Sequence, residues 1–345
     1  MNREKDNYYT SIDLFKYISS TLIVFLHVHT LEYYGAELNY YTSEVFCRLA
    51  VPFFFLTSGF LFYNGNHQMN FNYTRRYCIR LLKLYIIWVS LYAPVIILIN
   101  IERNTDPIQL LQYFLFSGAQ THLWYLTALV FAILLLFFLQ KKYSLNKILT
   151  ISMFLYIIGA IFVTYTEVID KIPFIESIYS IYISIFVQFR NGLFFLCFVV
   201  IGAKISTVNF QQHSKITLLC AVIITYFLYN MEALFTYNIE CSSEYDMRIL
   251  LLPVSVMIFL LILNISINIG MESGIILRNI STLTFLSHRI FQLLLKRLFI
   301  LLRINYWYEN TLIMFFCVMV ICSLFSLITI KSSKINCFRF LKMMY

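Results

Sequence analysis

Apolar runs of about twenty residues recur along almost the whole chain, each broken by a short polar stretch. A helix of about twenty residues spans the hydrocarbon core of a bilayer. The runs therefore predict ten membrane-crossing helices, at about 12–31, 44–63, 78–100, 123–140, 147–166, 190–206, 214–231, 248–269, 281–302 and 310–330. A further apolar stretch over 170–189 carries Pro173 and Glu176 and is expected to be interfacial or re-entrant. The predicted fold class is an all-α integral membrane protein, a single bundle of about ten helices. Residues 1–11 form a cytoplasmic N-terminal segment, 12–330 the membrane domain and 331–345 a basic tail.

The polar interruptions sort by sign. Arg75, Arg76, Arg80 and Lys83, then Lys141, Lys142 and Lys147, then Lys204 and Lys215, and finally the tail fall on one set of connections. Glu32, Glu37 and Glu44, and later Glu232, Glu240, Glu244 and Asp246, fall on the other. Basic connections stay in the cytoplasm, which puts both termini there. The stretch with Lys296, Arg297 and Arg303 breaks the rule: either a boundary lies elsewhere or these residues face a buried or substrate-lined space. The first run follows a polar start and has no small-residue cleavage site, so it reads as an uncleaved span.

Composition agrees. Only 12% of residues are charged and 60% are hydrophobic, against roughly a quarter charged in soluble chains. This excludes a water-soluble globular class. A net charge of +9 follows from the positive connections and calls for no nucleic acid partner. The eight cysteines show no CxxC spacing, so neither a metal site nor a disulfide framework is expected.

Histidines inside apolar runs are costly unless they are paired or have a job. In the first run, Lys16 and His27 lie eleven residues apart, on one helical face and about 16 Å apart along the axis. Asp13, Ser20 and Val24 share that face, which reads as a polar stripe. His29 lies about 200° away, on the apolar side, and is expected at the interface. His27 is either functional or a buried ring bonded to a neighbouring helix. In the second run, Arg48 can snorkel, Pro52 can kink the helix, and Ser58-Gly59 permits close helix packing. Arg80 and Lys83 share a face and, with Lys16, can form a cationic pocket for a polyphosphate. His122 opens the fourth run amid aromatic residues, Arg190 and Asn191 open the sixth, and His288-Arg289 lie inside the ninth. No GxSxG, HExxH, Walker or GxGxxG motif occurs, so soluble-enzyme chemistry is unsupported.

Asp13 with Lys16-x10-His27, the run RLAVPFFFLTSGFL, the pair Arg80/Lys83, HLWYL, FRNGLFF through Gly202, and FLSH occur in order over about 10–330. In that order they resemble acyltransferase family 3 of integral membrane proteins. Within it, RLAVPFFF, HLWY and RNGLFF are most similar to the membrane domain of VanT-type serine racemases, whose racemase domain does not appear in this sequence. The resemblance implies transfer of an acyl group, acetyl by preference, from cytosolic acyl-CoA to a hydroxyl of an extracytoplasmic acceptor such as a cell-envelope glycan. It makes His27 catalytic with Asp13 beside it, and Lys16, Arg80 and Lys83 the CoA-binding residues. Ser58, His122, Arg190 and His288 become substrate-side or supporting residues. The family often has Arg where Lys16 and Lys83 stand, so the charge is kept and the bidentate fork is lost. The racemase resemblance implies an alternative: a membrane domain that imports or supplies L-serine in glycopeptide resistance, with a fused or separate racemase as partner. Either way the location implied is a bacterial plasma membrane, with lipid and a small-molecule or glycan acceptor as partners.

Overall fold

The computed structural model describes residues 9–345 except 68, 104–105, 170–172, 187, 189–190, 209–213, 240, 242–244 and 268. The described residues are helical, with no strand among them. Ten helices carry the bundle: α1 Thr10–Val28, α2 Ala36–Asn64, α3 Phe71–Arg103, α4 Trp124–Gln140, α5 Leu145–Thr164, α6 Leu196–Ser206, α7 Lys215–Asn238, α8 Leu251–Asn264, α9 Met271–Leu301 and α10 Thr311–Ser332. Each predicted run falls on one of them. Six of these (α1, α2, α3 over Phe71–Ile97, α5, α7 and α10) are long and apolar enough to cross a bilayer. Helices α4, α6 and α8 are apolar but shorter. The molecule is a multi-pass membrane protein.

The runs find the helices better than their ends. Helix α1 stops at Val28, three residues early, because His29 turns left-handed (φ 53°, ψ 52°) and its N–H caps the last turn. His29 therefore leaves the helical wheel altogether and is exposed. Helix α2 starts eight residues early, through a wide turn at Tyr40–Phe46 and a tight one at Cys47–Leu49. The irregular turns end just before Pro52, whose missing N–H leaves the Arg48 carbonyl without its helical partner. The 170–189 stretch contains a helix at Pro173–Phe186, fourteen residues long, below the roughly 20 a span needs. Lys296, Arg297 and Arg303, expected in an outer connection, sit exposed on and just after the end of α9.

Lipid tails are as apolar as leucine, so close packing and polar bonds hold membrane helices together more than burial does. Outward faces accordingly stay apolar, as at Ile216, Ile223, Ile224 and Phe227 of α7. The tightest crossing is α2 on α6, and it is reciprocal. A Cβ on Gly59 would stand 2.1 Å from the Val199 carbonyl oxygen, and one on Gly202 would stand 2.1 Å from that of Leu56. The Ser58-Gly59 packing expectation is met, with α6 as the partner. Beside this crossing Phe55 packs against Tyr125 (ring centroids 4.8 Å) and Phe195 (5.0 Å). Helix α1 lies along α9, and α9 along α10. That pairing positions the site.

Candidate active site

Three histidines from three parts of the chain converge. His27 closes α1, His288 lies at mid-length in α9, and His122 stands just ahead of α4. Ring centroids are 5.3 Å apart for His27–His288, nearly parallel at 21°. They are 4.7 Å apart for His122–His288 and 6.2 Å for His27–His122, both edge-on. His288 is fully buried, His122 is 2% exposed and His27 is half-buried. The two intramembrane histidines thus meet, and His122 joins them.

The backbone holds the trio. The last turn of any helix leaves carbonyls without partners. The His27 carbonyl accepts from Gln292 Nε2 at 3.1 Å and Arg289 Nη1 at 3.4 Å, and Arg289 also donates to Gln292 Oε1 at 2.6 Å. Positive charge near a helix C-terminus is favoured as well. Tyr92 of α3 donates to the Leu286 carbonyl at 2.9 Å and stands 3.3 Å from His122 Nε2.

A small cavity of about 30 Å³ opens beside the trio, lined by His27, His122, Arg48, Asp246, Trp124 and Tyr125 among others. That volume holds about one water molecule. Ser58 fixes the Tyr125 hydroxyl at 2.9 Å, so it supports the wall. Arg48 does not snorkel to a membrane edge. Its guanidinium binds the Glu44 carboxylate one turn earlier, with Nε at 2.9 Å, and forms an ion pair with Asp246. Next to it Arg248 is completely buried. It donates to the Glu44 carbonyl (2.7 Å) and the Tyr40 hydroxyl (2.8 Å) and lies over the Tyr245 ring at 4.9 Å. Glu232 accepts from the Ile249 and Leu250 N–H groups, both at 2.8 Å, at the start of α8. Sequence reasoning missed this cluster. The one local signal was Glu44 and Arg48 at i, i+4. Arg248→Met should lower stability by about 1.5–3 kcal/mol, because the Glu44 carbonyl and the Tyr40 hydroxyl lose a charged donor. Thermal unfolding in detergent would check it.

At the other end of α1, Lys16 is half-buried. The charged groups acting on it are Asp13, Arg278 and Arg80. Asp13 is buried and lies fourteen residues from His27, about 21 Å along the helix. The structure therefore brings Asp13 to Lys16 and not to His27. Arg80 is exposed and stands over the Tyr77 ring at 5.3 Å. Lys83 is exposed, as Arg80 is. Arg278 of α9 adds a further cation at this end. Three cations against one carboxylate leave this end with excess positive charge, which suits a polyphosphate. Arg190 lies outside the described residues.

No solved structure matches the chain. An amino-acid racemase of Enterococcus faecalis is 26% identical over 265 residues, 73% of this chain and 37% of that protein. A serine/alanine racemase of Enterococcus gallinarum is 29% identical over 256 residues, 70% of this chain and 35% of that one. The chain thus spans about a third of the length of the curated relatives it matches. The acyltransferase domain family known as acyltransferase 3 matches residues 9–331, nearly the whole bundle with its three histidines and its basic end, and this chain belongs to that family.

Proposed function

We propose that this chain moves an acyl group, acetyl in the first instance, from cytosolic acyl-CoA to a hydroxyl of an extracytoplasmic acceptor such as a cell-envelope glycan. The setting is the plasma membrane of a bacterium, with the basic end of α1 and both termini in the cytoplasm. One observation carries the reading. A single helix presents Lys16 to a cluster of excess positive charge and His27 to a cavity, about 16 Å apart along its axis, a span suited to a pantetheine arm. Lys16, Arg278 and Arg80 hold phosphate groups, and Asp13 orients Lys16. His27 withdraws the acceptor's proton as the oxygen attacks the acyl carbon. Arg48 and Asp246 are placed to contact the acceptor.

Purified protein in nanodiscs supplied with radiolabelled acetyl-CoA tests this. Release of free CoA thiol that depends on His27 supports it. No label transfer and no hydrolysis, with His27→Ala indistinguishable from wild type, would sink it. Arg278→Ala should raise KM for acetyl-CoA about tenfold, the worth of one charge-assisted bond, and change kcat little.

The racemase relatives favour one second reading, a membrane domain that supplies L-serine to a racemase in glycopeptide resistance. Opposite charges on Arg48 and Asp246 in one cavity wall also suit an amino-acid zwitterion. Uptake of labelled L-serine into proteoliposomes separates the two, and uptake no greater than into empty vesicles removes the second.

A further inference from the structure

His288 and His122 each spend one ring nitrogen on a backbone carbonyl and leave the other bare. The Nδ1 of His288 lies 2.8 Å from the Phe285 carbonyl oxygen and 3.2 Å from that of Thr284. A carbonyl only accepts, so Nδ1 carries the proton and Nε2 the lone pair. The Nε2 of His122 lies 3.3 Å from the Leu286 carbonyl oxygen and 3.3 Å from the Tyr92 hydroxyl, whose own proton points at Leu286. Here Nε2 must donate, and the lone pair sits on Nδ1. Three successive carbonyls of one α9 turn thus fix both tautomers.

Both bare nitrogens, His288 Nε2 and His122 Nδ1, are buried and have no hydrogen-bond partner. An unmet buried polar atom is destabilising, because it has given up water for nothing. Asparagine at 288 or glutamine at 122 could make the same carbonyl bond without a bare ring nitrogen. Packing alone does not account for two such atoms on rings 4.7 Å apart. Metal ligation does not account for them either, because no three ligating side chains converge with metal geometry among the described residues. What a bare imidazole nitrogen takes up is a proton.

We infer that His122 Nδ1 and His288 Nε2 form a proton store beside His27, which holds the acceptor's proton until the leaving thiolate collects it. This rests on the acyltransferase reading. The acceptor O–H bond and the donor C–S bond break, and an ester O–C bond and an S–H bond form. The proton passes from the acceptor oxygen through His27 to the store and ends on sulfur, which leaves with the C–S electron pair. The separations of 4.7–6.2 Å between rings suit short hops or one bridging water. The store holds one proton at a time. Two imidazolium charges about 5 Å apart in a buried site repel each other strongly. The other charged or titratable groups facing the trio are Arg289 from α9, Arg48 from α2, Tyr92 from α3 and Asp246, which shares the cavity wall with His27 and His122; both arginines oppose positive charge on the rings, a second more than a first, and the carboxylate carries the opposite sign.

The test uses the two variants that keep the structural bond. His288→Asn retains an N–H near the Nδ1 position, and His122→Gln retains one near Nε2; each puts an amide that takes no proton where the bare ring nitrogen stood. With acetyl-CoA as donor and thiol release as readout, each should lower kcat at least about tenfold, leave KM for acetyl-CoA within about twofold, and change the solvent deuterium isotope effect. The double variant should lose little more than either single one, because both remove the same store. Wild-type kcat and isotope effect in both single variants overturn the inference. Should wild type not turn over acetyl-CoA, the acyltransferase reading falls and the store loses its reaction with it. Histidine ¹⁵N spectra test the tautomers without turnover. A proton on Nδ1 of His288 and on Nε2 of His122 is expected, and the opposite tautomer at either ring overturns the inference.

Discussion

Replacing His27 with glutamine should cut acetyl-CoA-dependent turnover by about 10²–10⁴-fold, the range for loss of a positioned general base. Glutamine fills similar space and takes no proton. The fold should survive, because α9 grips residue 27 through its backbone carbonyl, which glutamine keeps. An unchanged unfolding temperature beside the lost turnover would show that the chemistry was removed and not the structure. His29→Gln is the matched control. That residue is exposed beyond the helix end and should have wild-type rates. Equal losses at 27 and 29 would mean that neither histidine does chemistry.

The largest stability effect is expected at the crossing of α2 and α6. Gly59→Ala places a methyl 2.1 Å from the Val199 carbonyl oxygen, and Gly202→Ala places one 2.1 Å from that of Leu56. Neither obstacle is a side chain that can swing aside, so the two helices must part. Each substitution should cost about 3 kcal/mol or more, the upper end for overpacking. The aromatic stack of Phe55, Tyr125 and Phe195 lies against this crossing, and Tyr125 is a wall of the cavity. Turnover should therefore fall with stability. Thermal unfolding and folded yield in detergent give the measure, and wild-type values for both variants would show that the crossing is looser than described.

Much of this was readable in the sequence, for physical reasons. A helix in lipid must be apolar over its length, so runs mark helices. Helix ends depend on backbone choices such as the left-handed turn at His29, which no apolar pattern announces. The wheel of α1 separated His27 from its neighbours, and His288 drew notice because a ring inside a span needs a reason. His122 hid behind Trp124 and Tyr125, which an interfacial belt explains equally well. Arg48 and Asp246 stand 198 positions apart in the chain, and nothing local tells either that the other is near. Arg278 escapes the apolar pattern because it lies in the polar first part of α9, three residues before the expected start of the ninth run.

The α1–α9 pairing has one more consequence. Helix α9 holds α1 at two places: Ser281 Oγ donates to the Lys16 carbonyl at 2.7 Å, and Arg289 and Gln292 grip the His27 carbonyl. Lys16 and His27 are thus marks on a rigid ruler that neither helix can stretch by itself. Under the proposed reaction every donor shares the same arm and meets the ruler identically, whatever acyl group it carries. Discrimination among donors then passes to the space beyond the upper mark, about 30 Å³ walled by Trp124, Tyr125 and Phe195. Such a device measures the carrier with one part and the cargo with another. Each methylene added to the cargo asks for more room there, so donors should differ in turnover and not in binding at the basic end.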